Sequence, residues 1–120
     1  MKNHSLLIYC THGTYGRDDD TYGALLQANH TLAWGMDVTL VLVEDGVLVS
    51  KKGQNPSKIG LPNNLNELTD FIELGGKLLV VNESLEQRGI RKEEIIDEAE
   101  VISFRDVVPL VENHDLSLTF

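Results

Sequence analysis

The single cysteine of the chain has the clearest chemical potential. Cys10 ends an apolar run that begins at Leu6, and a loop containing His12 and Arg17 follows it. A thiol becomes a good nucleophile when a neighbouring cation or a helix N-terminus lowers its pKa, and both side chains of this loop could do so. Free cysteine is also among the most buried residue types and packs as a small hydrophobe. The sequence therefore predicts either a reactive sulfur carrier at Cys10 or a core thiol.

The loop after Cys10 could instead hold an anion or a metal ion. Two glycines and several hydroxyls precede Asp18, Asp19 and Asp20. Glycines before a helix can cradle a phosphate, but each aspartate would repel it by about 1 kcal/mol at ~4 Å in water, more than the helix end offers. The aspartates could bind a metal with His12, although consecutive aspartates are more often a solvated helix cap. We therefore predict no cofactor and no metal.

Charge and cysteine content exclude several classes of protein. The formal net charge is -9 and the pI is about 4.7, which opposes binding to nucleic-acid phosphates or to an anionic membrane surface. The start of the chain, MKNHSLLIYC, has too few consecutive apolar residues for a signal peptide or a membrane span. A single cysteine allows no intrachain disulfide, as is usual in a reducing compartment. We expect a cytoplasmic protein with no nucleic-acid or membrane partner.

Five apolar segments have the composition of buried strands, and helical segments separate them. A chain of 120 residues fits a single domain, and parallel strands require right-handed crossovers. We therefore predict one α/β domain over residues 1–120. Its architecture is a three-layer α/β/α sandwich of the flavodoxin or Rossmann type, with a five-stranded, mainly parallel sheet. The predicted strands are Leu6–Tyr9 in the centre, Asp37–Val43, Lys77–Val81, Glu100–Phe104 and, at an edge, Asp115–Phe120.

The helices are predicted from their caps and apolar stripes. Helices should begin near Asp20, Asn63 and Asp106, and short ones should form in NESLEQ and RKEEIIDEAE. Ser84 with Gln87 three residues later has the form of a capping box. In the first helix we expect one apolar stripe to face the core, made of Tyr22, Leu25, Leu26, Leu32 and Ala33.

A loop of about fifteen residues follows the second predicted strand, and loops of that length in a compact domain tend to be functional or to form interfaces. It carries more apolar residues than a solvated loop needs, and exposed apolar patches usually mark contacts with other chains. We therefore expect this segment to help build an oligomer, through Val47, Leu48, Val49, Ile59, Leu61 and Pro62.

Ligands in parallel α/β sheets bind beyond the carboxyl ends of the strands. The ends of the first three strands carry CTHGTYG, EDGV and VNESLEQRG, and we expect them to converge. The predicted cleft has Cys10 as its candidate nucleophile. Its lining is expected to be Thr11, His12, Gly13, Tyr15, Gly16, Asp45, Gly46, Val81, Asn82, Glu83, Ser84 and Arg88.

These three strand ends, taken in order with Gly53–Gln54, the run ELGGKLLVV and the final HDLSLTF, resemble the DsrE/DsrF-like family of sulfur-relay subunits. The resemblance covers essentially the whole chain and is nearest the DsrF and TusC branch. It implies a parallel five-stranded sheet, assembly into trimers or hexamers, and persulfide transfer through a cysteine at the end of the third strand.

The residues that match the family's cysteine positions carry no sulfur in this chain. Counting back from the Arg88–Gly89 pair, the usual cysteine falls on Val81, and a second cysteine common in homotypic members falls on Ser84. The resemblance thus implies a structural or docking member of a sulfur-relay or sulfur-oxidation system. Its expected partners are other DsrE-like subunits and a sulfur-carrier protein. The alternatives are a small oligomeric ligand-binding module and a purely structural protein.

Overall fold

The computed structural model describes residues 4–13, 20–60 and 63–120. Five strands form one sheet: β1 (Ser5–Cys10), β2 (Asp37–Leu42), β3 (Lys77–Val81), β4 (Glu100–Ile102) and β5 (Leu116–Thr119). The α-helices are α1 (Asp20–Trp34), α2 (Asn64–Glu73), α3 (Asn82–Gln87) and α4 (Val107–Asn113). Short 3₁₀ helices span Glu44–Ser50, Pro56–Ile59, Lys92–Glu94 and Phe104–Asp106.

The sheet is parallel throughout, in the order β4-β3-β2-β1-β5. In its register Ile8 pairs with Leu40 on one side and with Leu118 on the other. The predicted α/β fold is therefore confirmed, with β5 at an edge as expected. β1 is an interior strand, as its continuous apolar run predicts, although β2 occupies the middle of the sheet.

The two faces of the sheet support two separate apolar clusters. Alternate residues such as Ile8, Leu40 and Val80 pack with α1, α2 and the segment Glu44–Ser50. The intervening residues face α4, where Val107 and Leu110 cover a smaller cluster. This division follows from the period of two in a strand, which sends successive side chains to opposite faces. Cys10 belongs to the first cluster and Val81 to the second.

The helix α1 faces the sheet with smaller residues than predicted. Its buried positions are Thr21, Ala24, Leu25, Ala28 and Thr31. Of the predicted stripe only Leu25 is fully buried, whereas Ala33 is exposed and the other three members are half-buried. Small side chains allow the helix backbone to approach the sheet closely, so its larger apolar residues flank the contact. The helix ends before Gly35, which takes a left-handed φ of 106° as expected for a C′ residue.

The structure corrects the prediction that the apolar residues after β2 form an interface loop. Val47 and Val49 are completely buried in the α1 face of the core, because the 3₁₀ helix Glu44–Ser50 folds back over the end of the sheet. Leu48 is 36% exposed and Ile59 is 66% exposed. Leu61 and Pro62 lie outside the described residues. Two of the six apolar residues predicted for the interface, Val47 and Val49, therefore serve the fold.

Two local predictions differ from the structure and a third is confirmed. Asn63 caps α2 as predicted, its side chain accepting the amide of Leu65 at 3.1 Å. The predicted capping box at Ser84 is wrong, because α3 already begins at Asn82 and Ser84 lies inside it. The only helix in the segment RKEEIIDEAE is the 3₁₀ helix Lys92–Glu94, which is shorter than predicted, and Ile95 after it is buried. Among the described residues, no helix combines the length and apolar character needed to cross a membrane.

Candidate functional site

The carboxyl ends of β1, β2 and β3 meet at one rim of the sheet. Val43 donates its amide to the carbonyl of Cys10 at 3.1 Å, which joins the ends of β1 and β2. Glu44 donates its amide to the hydroxyl of Ser84 at 3.0 Å, which joins β2 to α3. The expected convergence of these segments is therefore present in the described part of the chain. Tyr15 and Gly16 lie outside it.

Gly46 closes the space that was predicted to be a cleft. A Cβ atom built on Gly46 would lie 1.9 Å from the carbonyl oxygen of Cys10, so the two backbones are in direct contact. Gly13 packs in a similar way, since a Cβ atom on it would lie 3.3 Å from the carbonyl oxygen of Asp45. Both glycines permit close packing of backbone on backbone. The region between Gly13 and Gly46 is thus filled by the chain itself.

Cys10 is 1% exposed and points into the core on the α1 side of the sheet. Its Sγ lies 3.5 Å from the carbonyl oxygen of His12 and 3.9 Å from the hydroxyl oxygen of Thr21. Burial raises the pKa of this thiol, the two hydrogen bonds lower it in part, and the charge of Asp20 raises it further. The neutral thiol is therefore favoured, whereas a nucleophile needs the thiolate.

The imidazole of His12 lies away from the thiol that it was predicted to activate. Its exposed ring contacts the hydroxyl of Thr11 at 3.1 Å and a carboxylate oxygen of Asp20 at 3.7 Å. Thr21, inside α1, donates its hydroxyl to the carbonyl oxygens of His12 and Gly13 at 2.7 and 3.0 Å. These bonds tie the loop to α1. Arg17, the other predicted activating residue, lies outside the described residues.

Thr11 fastens the end of the chain to β1. Its amide and its hydroxyl both donate to the carbonyl oxygen of Phe120, at 2.9 and 2.7 Å. Phe120 in turn donates its amide to the carbonyl oxygen of Tyr9 at 2.8 Å. Thr11 therefore extends the pairing of β1 with β5 beyond the last residue of each strand.

Arg88 holds the acidic end of β2 against α3. Its Nε donates to Asp45 at 2.9 Å, another nitrogen lies 3.5 Å from a carboxylate oxygen of Glu44, and a third donates to the carbonyl of Ser84 at 3.1 Å. Glu44 has a φ of 55°, in the left-handed region that non-glycine residues seldom adopt. Contacts with Ser84 and Arg88 therefore hold a strained residue at the rim.

The third strand end faces α4 rather than Cys10. Val81 is fully buried in the α4 face, and Asn82 donates its side-chain amide to Glu86. Glu83 accepts the amide of Phe104 at 2.9 Å and the hydroxyl of Ser103 at 3.0 Å. Several hydrogen bonds lower the pKa of the Glu83 carboxyl, and the bond from Phe104 has the largest effect. Glu83 thus links α3 to the segment after β4.

The open space at this rim lies on the α4 side. A surface hollow of about 370 Å³ is lined by Tyr9, Thr11, Val43, Glu44, Phe104 and Thr119. Of these six, only Thr11 was predicted to line a cleft. The alternation within β1 carries the missing signal, because Tyr9 and Cys10 must point to opposite faces of the sheet. Within residues 4–13, 20–60 and 63–120, no cluster of three His, Cys, Asp or Glu is suited to bind a metal ion.

Two proteins are similar in sequence to this chain over almost its whole length. The uncharacterized protein MJ0989 of Methanocaldococcus jannaschii is 35% identical over 113 residues, covering 94% of this chain and 96% of that protein. The uncharacterized protein MK0008 of Methanopyrus kandleri is 32% identical over 115 residues, covering 96% of this chain and 93% of that protein.

A solved structure extends the comparison to the fold. The crystal structure of the ychN protein from E. coli has a TM-score of 0.85, with 19% identity over 99% of this chain and 100% of that one. A model of the DsrE/DsrF-like family matches residues 4–120. The parallel sheet, its paired strand ends and these matches together place the chain in the DsrE/DsrF-like family.

Proposed function

We propose that this protein is a subunit of an intracellular sulfur-relay or sulfur-oxidation system and acts as a structural or docking member. Membership of the DsrE/DsrF-like family supports the sulfur-relay context. The main support for a non-catalytic role is the burial of Cys10. It is the only cysteine of the chain, so no other residue can hold a sulfane sulfur. Val81 is aliphatic and Ser84 is engaged with Glu44, so neither family cysteine position replaces it.

A persulfide assay tests this role. The native protein is incubated with polysulfide, the products are trapped by alkylation, and Cys10 is examined by mass spectrometry. A thiolate attacks a terminal sulfur of the polysulfide and expels a shorter polysulfide, which adds about 32 Da to the cysteine. We expect no such adduct on the native chain and ready formation in urea, where Cys10 is exposed. Equal labelling of native and unfolded protein would show that Cys10 is a competent carrier.

The partners follow from the same proposal. We expect other DsrE-like subunits, in a trimer or hexamer of like or unlike chains, and a sulfur-carrier protein that brings its own thiol. Affinity purification from the native host should recover such a thiol-bearing subunit. Recovery of this chain alone, at a mass of 13.4 kDa, would contradict the docking role.

The hollow on the α4 side favours a second candidate, a small ligand-binding module. It combines an aromatic wall at Phe104, the Thr11 hydroxyl and the strained Glu44 at the carboxyl ends of the strands. A ligand that binds the folded state increases the free energy of unfolding, by about 2.7 kcal/mol when its concentration is a hundred times its Kd. The melting temperature rises accordingly. A thermal-shift screen of small metabolites tests this role, with Phe104→Ala as the variant that removes the wall. A ligand that stabilises both forms equally does not bind there.

A further inference from the structure

A second recess lies between α1 and α2, on the face of the sheet opposite α4. It measures about 330 Å³ and is lined by Leu26, Asn29, His30, Glu67, Asp70, Glu73 and Leu74. We call it the α1–α2 groove. The helices α1 and α2 end near the amino ends of the strands, because β2 begins three residues after Trp34 and β3 begins four residues after Glu73. The groove is therefore remote from the rim that carries Cys10 and Ser84.

The charge of the α1–α2 groove is of one sign. Neither α1 nor α2 contains a lysine or an arginine, and three carboxylates line the groove. In the described part of the chain, none of these carboxylates forms an ion pair with a basic side chain. The first basic residue after α2 is Lys77, at the start of β3. A recess with uncompensated carboxylates concentrates negative potential and attracts cationic groups.

An apolar surface adjoins these carboxylates. Leu26 and Leu74 form part of the groove wall, and Leu74 is more than half exposed. On the other side of His30, a depression of about 300 Å³ is lined by Gln27, Thr31, Trp34 and Met36 as well. Trp34 is 86% exposed, which is unusual for the only tryptophan of a chain. Tryptophan is enriched at the centres of interfaces and binds cations over its ring.

Asn29 adds an acceptor at the α1–α2 groove. Its amide nitrogen donates to the carbonyl oxygen of Glu67 at 3.1 Å and to a carboxylate oxygen of Glu67 at 3.2 Å. These two acceptors fix the orientation of the amide, because the reverse orientation would set oxygen against oxygen. The Oδ1 atom of Asn29 is buried and has no donor among the described residues. Asn29 thus carries an unsatisfied buried acceptor beside the groove.

We propose that the α1–α2 groove is the docking site for a basic, partly apolar segment of another protein. Lysine or arginine side chains of that segment meet Glu67, Asp70 and Glu73, and an apolar or cationic side chain covers Trp34. Charge complementarity selects this occupant over a second copy of the chain, because each copy has a net charge of -9. The groove lies on the opposite face of the sheet from α4, so it does not depend on any contact made by α4.

The test uses fluorescence anisotropy with a labelled helical peptide of arginine, leucine and alanine. A copy of the peptide with glutamate in place of every arginine serves as the negative probe. The groove variant is Asp70→Asn with Glu73→Gln, at two exposed positions. The matched variant is Glu98→Gln with Glu112→Gln, which removes the same two charges at exposed positions outside the groove. Trp34→Ala removes the aromatic surface.

We expect the groove variant and Trp34→Ala each to weaken binding of the basic peptide by about tenfold at low salt. The matched variant should change binding by less than about twofold, and the acidic peptide should not bind. Equal weakening by both double variants would overturn the proposal, since binding would then follow net charge alone. Absence of binding by the native protein would overturn it as well. So would self-association of the native chain that Trp34→Ala abolishes, which would assign this face to a second copy.

Discussion

Gly46 is the residue at which the smallest change should have the largest effect. A Cβ atom at this position would overlap the carbonyl oxygen of Cys10, and backbone atoms cannot move aside as the tip of a side chain can. Overpacking a core costs about 1–3 kcal/mol and sometimes more. We therefore expect Gly46→Ala to lower the free energy of unfolding by about 3 kcal/mol, measured by urea denaturation.

Gly23 provides the matched control for Gly46. It lies inside α1, and a Cβ atom built on it meets nothing within 4 Å. Because glycine disfavours a helix interior, Gly23→Ala should stabilise the protein by about 0.5–1 kcal/mol. Opposite signs at the two glycines are expected. A mild effect at Gly46 would mean that the ends of β1 and β2 do not make this backbone contact in solution.

Cys10 shows what the sequence could and could not predict at the level of one residue. Its place after an apolar strand indicated both a core thiol and a rim nucleophile. The period of two puts Cys10 on the same face as Leu6 and Ile8, but a strand buried on both faces does not reveal which helix covers which face. Only the packing of α1, with Thr21 against the loop carbonyls, decides that the thiol is enclosed.

In α1, the apolar stripe predicted from the sequence is out of phase with the buried face of the helix. The predicted stripe consists mainly of large apolar residues, whereas the helix buries Thr21, Ala24, Ala28 and Thr31 beside Leu25. These positions follow the helical spacing well, but all four are smaller than leucine and two are hydroxylated. The Thr31 hydroxyl donates to the carbonyl of Gln27 within the helix, which allows it to be buried. The size of an apolar side chain does not predict its burial in α1, because the helix backbone packs close to the sheet and leaves room only for small residues.

The link between α3 and the segment Phe104–Asp106 should make stability depend on pH. Glu83 accepts hydrogen bonds from Phe104 and Ser103 in its ionised form, and they lower its pKa from the ordinary value of 4.5. A group with a lowered folded pKa stabilises the protein above its unfolded pKa, and that contribution disappears as the pH falls through the folded pKa. Stability should therefore decline below about pH 4.5 in part through Glu83.

Glu83→Gln tests this link, because glutamine cannot supply an ionised acceptor. The variant should be less stable at pH 7 and should lose less stability than the native protein between about pH 5 and pH 3, as followed by thermal melting at each pH. Glu112→Gln is the control, since in the described structure this exposed carboxylate makes no hydrogen bond or ion pair. Parallel pH curves for the native protein and Glu83→Gln would show that other groups cause the decline.

The fold of this chain is predictable from its sequence, whereas the shape of the site is not. Five apolar segments that alternate with capped helices predict a parallel sheet, even where the exact bounds of each strand and helix are uncertain. The site depends on contacts between segments far apart in sequence, such as Arg88 with Asp45 and Thr11 with Phe120. No local sequence pattern predicts contacts between such distant residues. The same limit explains why Val47 and Val49 were assigned to an interface when they fill the core.

An exposed apolar surface on α4 and β5 predicts how copies of the chain associate. Val108 and Val111 lie three residues apart on α4, directed away from the buried Val107, and Val108 is 59% exposed. Leu116 and Leu118 are exposed at the edge strand β5, whose outer backbone groups are unpaired by any other strand of the described sheet. Exposed apolar patches and free sheet edges favour association with other chains.

We therefore expect the native protein to form an oligomer through α4, with a mass that is a multiple of 13.4 kDa in native mass spectrometry. Val108→Asp with Val111→Asp should reduce that mass to the monomer, because each carboxylate would be desolvated in the interface. Asn66→Asp with Gln87→Glu adds two negative charges at exposed positions on α2 and α3 and should leave the oligomer intact. A native protein found as a monomer would contradict the prediction. An oligomer unaffected by both double variants would place the interface elsewhere, because only contacts that exclude water from α4 make its valines sensitive to charge.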